Sequence, residues 1–241
     1  MSASCLSSRP LYLQLCDALA ERIAAGEWKP HTAIPNEGDL AREFGVSPGT
    51  MRKALDLLEG QHLVTRRQGR GTFVNDRASE ELSKRFRSIR GADGEPISGE
   101  IKSAEITEGV ANQRECERLR VSARESVYRI SRVQFRQDQP FMVEEVAMPA
   151  ALFPGLADKN GSSHSHGIMV LAQQYGLLLG KAEERLTIDA AAPEVAAVLG
   201  IAPAAPIVVL DRVMLTLDGR PVEWRIGRCH LAGDYYLAEM R

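Results

Sequence analysis

What most limits the fold of this chain is a run of helix punctuation in its first third, ending in a turn rich in glycine and arginine. Leu11, Leu15, Leu19 and Ile23 recur every four residues and mark one helix face, opened by Arg9-Pro10 and closed by Gly26. Pro30 and Pro35 bracket a connection. Asn36 is a good N-cap for a helix through Leu40, Ala41 and Phe44 that stops at Gly45. Ser47-Pro48 supplies a cap and a first-turn proline for a third helix, with an apolar stripe of Met51, Ala54, Leu55 and Leu58, ended by Gly60. Two short strands, 63–67 and 72–74, then flank Gln68-Gly69-Arg70-Gly71. Helix, helix, short turn, helix and hairpin is the order of a winged helix-turn-helix.

Burying the third helix's stripe leaves Thr50, Arg52, Lys53 and Asp56 outside. A recognition helix reads base edges with its N-terminal residues, and helix N-termini attract phosphate. An ordinary solvated helix face would look the same. The hairpin tip weighs against that plain reading. Arg66, Arg67 and Arg70 occur there with no acid between Gln61 and Val74. The glycines let the backbone approach a groove, and arginines suit phosphates or the minor groove. The whole chain carries 30 Lys and Arg against 32 Asp and Glu, a net charge of -2. That excludes a protein that coats nucleic acid but allows a local basic tip.

The segments Pro10-Leu11-Tyr12, Ile34-Pro35-Asn36-Glu37, Leu40 to Ser47, Thr50 to Leu55 and Arg67 to Val74 resemble the DNA-binding domain of the GntR superfamily. The resemblance implies a double-stranded, palindromic operator as partner. It implies that Asn36 caps the second helix near a phosphate, that Ser47, Thr50 and Arg52 face DNA, and that Gln68, Gly69 and Arg70 form the wing. Lys53, Arg66, Arg67 and Thr72 complete the candidate DNA-binding set. The chain also departs from the family pattern. Asn36-Glu37-Gly38 lacks the usual arginine, and Pro48-Gly49 stands where another arginine and a longer polar residue are common. Each missing bidentate arginine removes roughly 1–3 kcal/mol of base discrimination. The operator should therefore differ from the family consensus, with Arg52 and the wing carrying more of the binding.

The organisation expected is a winged helix-turn-helix over residues 9–76, a linker and lead-in segment over 77–99, and a second domain over 100–241. The lead-in holds a basic run, Lys84 to Arg90, read as a solvated connector or as an added phosphate contact. Beyond it the chain resembles itself at an offset of 80 residues. Leu119, Arg132, Val133 and Asp138 match Leu199, Arg212, Val213 and Asp218. Each copy reads as a short helix, a strand, a tight turn and, after Pro140 or Pro221, a strand bearing Glu144 or Glu223. Two copies imply a pseudo-symmetric α+β domain around one antiparallel sheet. A further helix runs from Ile168 to Tyr175, ended by Gly176.

This half resembles the UTRA effector domain of the HutC-like branch of that superfamily. The residues that carry the resemblance are Arg129 to Arg132, Pro140 with Glu144 and Pro149, Leu152 to Leu156, Tyr175-Gly176, Leu199 to Ile201, and Pro221 to Glu223 with Gly233-Asp234. The resemblance implies a chorismate lyase-like fold, a homodimer and a small-molecule effector. Candidate effector contacts are Arg132, Gln134, Glu144, Gly167, Glu223 and Arg225. An arginine suits a carboxylate or phosphate, pointing to an organic acid or a phosphorylated metabolite. Gly167 stands where the family commonly has a serine, which weakens the carry-over of a sugar phosphate. A charge set in apolar alternation must be paired, exposed or ligand-bound, so an internal Arg132–Glu144 or Arg132–Glu223 pair is the competing expectation.

Other chemistry finds little support. His164-Ser165-His166 lies in a Gly/Ser-rich stretch without a third ligand, and Cys229-His230 should point to opposite strand faces. The cysteines are scattered, and no G-x-S-x-G or phosphate loop occurs. No catalytic residue, metal or cofactor is expected. With no long apolar run and no signal-like start, a cytoplasmic, membrane-free location is the expectation. Two rivals remain: an enzyme using the lyase-like domain, and a DNA-binding architectural protein whose second domain only dimerises.

Overall fold

The computed structural model describes residues 9–76, 88–97, 99–157 and 167–238, and the chain divides into two compact units, residues 1–79 and 80–241. In the first unit, helices α1 (Leu11–Ala24), α2 (Glu37–Glu43) and α3 (Pro48–Gly60) precede a hairpin of β1 (Val64–Arg67) and β2 (Gly71–Val74). The expected caps operate. Asn36 accepts from the Asp39 amide at 2.9 Å, and Ser47 accepts from the Thr50 amide at 3.2 Å. Leu15, Leu19 and Ile23 of α1 are buried, as are Met51, Ala54, Leu55 and Leu58 of α3. Gly69 (φ +70°) and Gly71 (φ +110°) sit at the hairpin tip in backbone conformations that favour glycine. An isolated bridge from Ala33 to Phe73 ties the connection before α2 to the wing.

The second unit is built on a six-stranded antiparallel sheet. Its strands are β4 (Glu100–Val110), β5 (Ser126–Arg136), β6 (Gln139–Pro149), β7 (Leu179–Ala190), β8 (Pro206–Thr216) and β9 (Pro221–Cys229). Their order, β4-β5-β6-β9-β8-β7, is symmetric about the β6–β9 seam. Helices α4 (Gln113–Leu119) and α6 (Pro193–Leu199) occupy matching places in the two halves, and α5 (Ile168–Gln174) lies between the halves in the chain. The repeat extends to irregularities. The β5–β6 register shifts between Gln134 and Phe135, and the β8–β9 register shifts between Met214 and Leu215, 80 residues on.

Two details differ from the sequence expectation. The first hairpin turns at Gln137 and Asp138, both with positive φ, whereas the second uses a longer loop with Gly219 at φ +84°. The loop lengths differ, so Glu144 and Glu223 are not equivalent. Arg132 lies opposite Glu144, and Arg212 lies opposite Arg225. Part of the expected lead-in is also structured. Strand β3 (Ile89–Arg90) pairs with β10 (Tyr235–Tyr236) and joins the second unit.

Side chains directly opposite in an antiparallel ladder share a face. On one sheet face, Tyr128, Ile130, Val146 and Met148 pack with Phe153, Leu156 and α5. At the other end of that face, Met142, Leu210 and Cys229 pack with Ile89, Ile97 and Tyr236. The opposite face is covered by α4, near Trp224 and Val213, and by α6, near Ile207. Between the two apolar clusters of the first face lies a band of charge.

Candidate functional sites

The first site is the outer surface of α3 and the hairpin. Ser47, Arg52, Lys53, Arg67, Gln68, Gly69 and Arg70 are exposed, and Thr50 and Thr72 are half-buried. Ser47 and Thr50 hydroxyls lie 2.8 Å apart, so the cap and the first outward residue of α3 share a hydrogen bond. Arg52 donates to Glu37 through Nε at 3.2 Å and Nη2 at 2.8 Å. Arg67 packs its guanidinium over Phe73 at 4.9 Å, which leaves its charged edge at the wing surface. Asn36 is committed to capping α2, and both of its amide atoms engage Asp39.

Arg66 differs from the other wing arginines. It pairs with Asp56, approaches Glu59 at 3.9 Å, and donates to the backbone carbonyl of Arg52 at 3.2 Å. It faces α3 and fixes the wing to that helix, so phosphate contact would require it to change partners.

The second site is the charged band on the six-stranded sheet. Arg132 is 4% exposed and Glu144 0%. Arg132 Nε donates to Glu144 Oε2 at 2.6 Å, and Arg225 Nη1 donates to Glu144 Oε1 at 2.8 Å. Burial alone would raise the Glu144 carboxyl. Arg132 and Arg225, with hydrogen bonds from Gln134 and Arg132, overcome this and hold it at about 2. Arg132 and Glu144 therefore bind each other, as expected of an internal pair.

Two members of the band were not among the sequence candidates. Arg212 Nε donates to Glu184 Oε2 at 2.6 Å, and Arg225 Nη2 lies 3.9 Å from the same oxygen. Glu184 also accepts from Tyr236 Oη at 2.9 Å and Ser88 Oγ at 3.2 Å. The signal for Arg212 was present in the sequence, since it is the repeat mate of Arg132. Glu184 carried none, because it lies in β7 opposite Arg212 only once the strands pair.

Arg212 and Arg225 thus face each other across β8 and β9 as like charges. Burial, then Arg225, push the Arg212 guanidinium below its ordinary value, and Glu184 and Glu223 only partly offset them. Glu223 is displaced the other way. Burial, aided by Glu144, raises its carboxyl against the pull of Arg132, Arg225 and Arg212. Arg225 Nε is buried without a hydrogen-bond partner among the described residues. Gly167 lies elsewhere. It precedes α5 as an exposed cap, and a side chain added there would meet nothing within 4 Å. His164 and His166 lie outside the described residues, as do residues 84–87 of the basic run. Cys229 is buried, while His230 Nδ1 lies 3.1 Å from the Pro206 carbonyl oxygen.

Comparison with known proteins bears on both sites. Residues 11–74 match the model for bacterial regulatory proteins of the gntR family, and residues 98–232 match the UTRA domain. The chain belongs to the GntR family. It is a transcriptional regulator of the HutC type, with a DNA-binding N-terminal domain and a UTRA ligand-binding effector domain. It is 28% identical over 230 residues to the mannosyl-D-glycerate transport/metabolism system repressor MngR of Escherichia coli, covering 91% of each chain. It is 28% identical over 221 residues to the transcriptional repressor NagR of Bacillus subtilis, covering 89% of this chain and 88% of that one. Among solved structures, YydK of Bacillus subtilis superposes with a TM-score of 0.56 at 18% identity, over 94% of this chain and 99% of the other. This last likeness concerns the fold.

Proposed function

We propose that this regulator is a homodimeric, non-enzymatic repressor of the cytoplasm. In this reading, α3 enters the major groove of a palindromic operator with Ser47, Thr50, Arg52 and Lys53, while Arg67, Gln68, Gly69 and Arg70 follow the backbone at the wing. Among the described residues, no helix is long and apolar enough to cross a membrane.

The effector of this reading is a small anion, an organic acid or a phosphorylated metabolite, taken up at the charged band. The observation that carries it is Arg225, whose buried Nε has no acceptor among the described residues while a second arginine faces it across the ladder. A carboxylate or phosphate oxygen supplies that acceptor and relieves the like-charge pair. Burial disfavours the ionised Glu223 carboxyl, so it offsets the three arginines of the band less well than Glu144 and Glu184 do.

Uptake of an anion gives Arg225 and Arg212 a new partner in place of Glu184. Glu184 holds Ser88 and Tyr236, which border β3 and lie in β10. Ser88 also accepts the Leu237 amide through its backbone carbonyl at 2.7 Å. The chain before Ser88 leads to the DNA-binding unit, so this is where a change in the band reaches the linker. An effector alters operator affinity only through its preference for one arrangement, and a tenfold effect needs roughly 1.4 kcal/mol of differential affinity.

The test is a gel-shift titration on DNA upstream of the protein's own gene, with and without a panel of organic acids, sugar phosphates and the corresponding uncharged sugars. One anion should reverse a specific shift in the native chain and fail to do so in Arg225→Met. Reversal only by uncharged compounds would refute the anion reading.

A further inference from the structure

Arg52 and Lys53 both face outward from α3, but they are held differently. Among the described residues Lys53 has a distant aromatic neighbour, its ammonium lying 6.0 Å from the centre of the Tyr12 ring. Arg52 is gripped at two points by one carboxylate, Nε to Oε2 at 3.2 Å and Nη2 to Oε1 at 2.8 Å. That carboxylate belongs to Glu37, the first residue of α2, next to the Asn36 cap. The cap thus sets where the carboxylate sits. The Arg52 backbone is anchored separately, by Arg66 donating to its carbonyl at 3.2 Å. Both ends of the Arg52 side chain are therefore fixed although it is exposed.

The direction of the grip matters. A side-on pair uses the Nε hydrogen and one Nη2 hydrogen. It leaves the end-on fork free, with one Nη1 hydrogen and the remaining Nη2 hydrogen roughly parallel in the guanidinium plane. That fork matches the O6 and N7 acceptors of guanine in the major groove. A carboxylate also disfavours approach by phosphate, so Glu37 works against general DNA binding. Its presence beside the recognition helix costs affinity for any sequence and improves the aim of one side chain.

We infer that Glu37 is a positioning residue for sequence reading: by clamping the Nε edge of Arg52, it presents the opposite fork to one guanine in each operator half-site. This rests on the proposal that α3 is the recognition helix.

The test uses the full chain. Its operator is selected from a random duplex pool. Equilibrium binding is then measured on that operator, on variants with each guanine replaced by adenine or 7-deazaguanine, and on unrelated DNA, for the native chain, Glu37→Gln and Arg52→Ala. The native chain should discriminate roughly tenfold or more at one symmetry-related guanine, and 7-deazaguanine should lose part of it because N7 is absent. Glu37→Gln should cut that discrimination to about threefold or less while binding unrelated DNA as tightly or more tightly, with its thermal transition unchanged. A merely structural role predicts the opposite, with specific and unrelated binding falling together as the transition drops. Full discrimination retained in Glu37→Gln, or no guanine discriminated at all, overturns the inference. Arg52→Ala separates the two layers. If it abolishes the guanine preference and Glu37→Gln does not, the recognition helix stands and the clamp falls; if it leaves binding and preference intact, both fall.

Discussion

Replacing Glu144 by glutamine removes one charge and almost no volume from the centre of the six-stranded sheet. Glu144 is completely buried and accepts from Arg132 at 2.6 Å and Arg225 at 2.8 Å. The amide oxygen can still accept one hydrogen bond, but two guanidinium groups lose their shared counter-charge. Removing one partner of a buried pair costs about 3–5 kcal/mol. A second route gives a similar figure. A carboxyl held at about 2 in the fold, against about 4.3 in a free chain, corresponds to roughly 3 kcal/mol. The folded value lies below the unfolded one, so this stabilisation is present above about pH 4.3 and is lost as pH falls toward the folded value. At roughly 2–4 °C per kcal/mol, the transition of the second unit should fall by about 6–20 °C at pH 7. Glu223→Gln is the matched control, because Glu223 is also buried but its carboxyl is raised. A raised carboxyl has the opposite sign: its ionised form is disfavoured, and folding weakens as pH rises above its unfolded value. The neutral amide there should therefore cost less than about 1 kcal/mol, or stabilise. Differential scanning calorimetry of both variants at pH 7 and pH 5 reads the contrast. Equal losses in the two variants, or a Glu144→Gln transition within 2 °C of the native one, would refute the assignment of the buried charge to Glu144.

Four further outcomes are expected. Arg52→Ala should abolish operator retention in a gel shift with both calorimetric transitions unchanged, and full retention would mean that another element reads the DNA. Arg70→Ala, at the wing tip, should weaken binding across sequences and flatten the plot of log affinity against log salt by about one unit of slope. Glu184→Gln should speed amide hydrogen exchange in residues 88–97 and at Leu237, leaving the β8–β9 amides protected, because Glu184 accepts from Ser88 and Tyr236. Burial pushes the Cys16 thiol up to about 11 and the Cys229 thiol up to about 12. Neither should react with iodoacetamide at pH 8 until the chain is unfolded, as mass spectrometry of the labelled peptides would show.

The DNA-binding unit was legible almost residue by residue, because its signals are local. A cap, a proline in the first turn, a stopping glycine and an apolar stripe all act within a few residues. The helices begin at Leu11, Glu37 and Pro48, where those signals place them. The repeat in the second half was legible for a related reason. Two copies of one pattern at a fixed offset imply two copies of one unit, and the sheet order reflects that symmetry. Glu144 and Glu223, each the acid of its strand, take different partners because one hairpin loop is longer and shifts the register. A change of register moves each side chain to a new partner.

Sequence alone determined what nearest-neighbour chemistry determines: three helices, two of them capped by side chains, a glycine-supported wing, a duplicated strand-rich half and a surplus of outward cations on α3. Only the tertiary structure decided who meets whom. It placed Arg212 against Arg225 and brought Glu184 from β7 to both Arg212 and Tyr236. It also turned Arg66 away from the wing surface toward Asp56, and set Glu37 of α2 on the edge of Arg52 in α3. The physical reason is range. Caps and periodicity are energies between residues a few positions apart, whereas these polar contacts join residues 10 to 52 positions apart. They exist only once the register of the strands and the packing of the helices have been chosen by the burial of apolar faces.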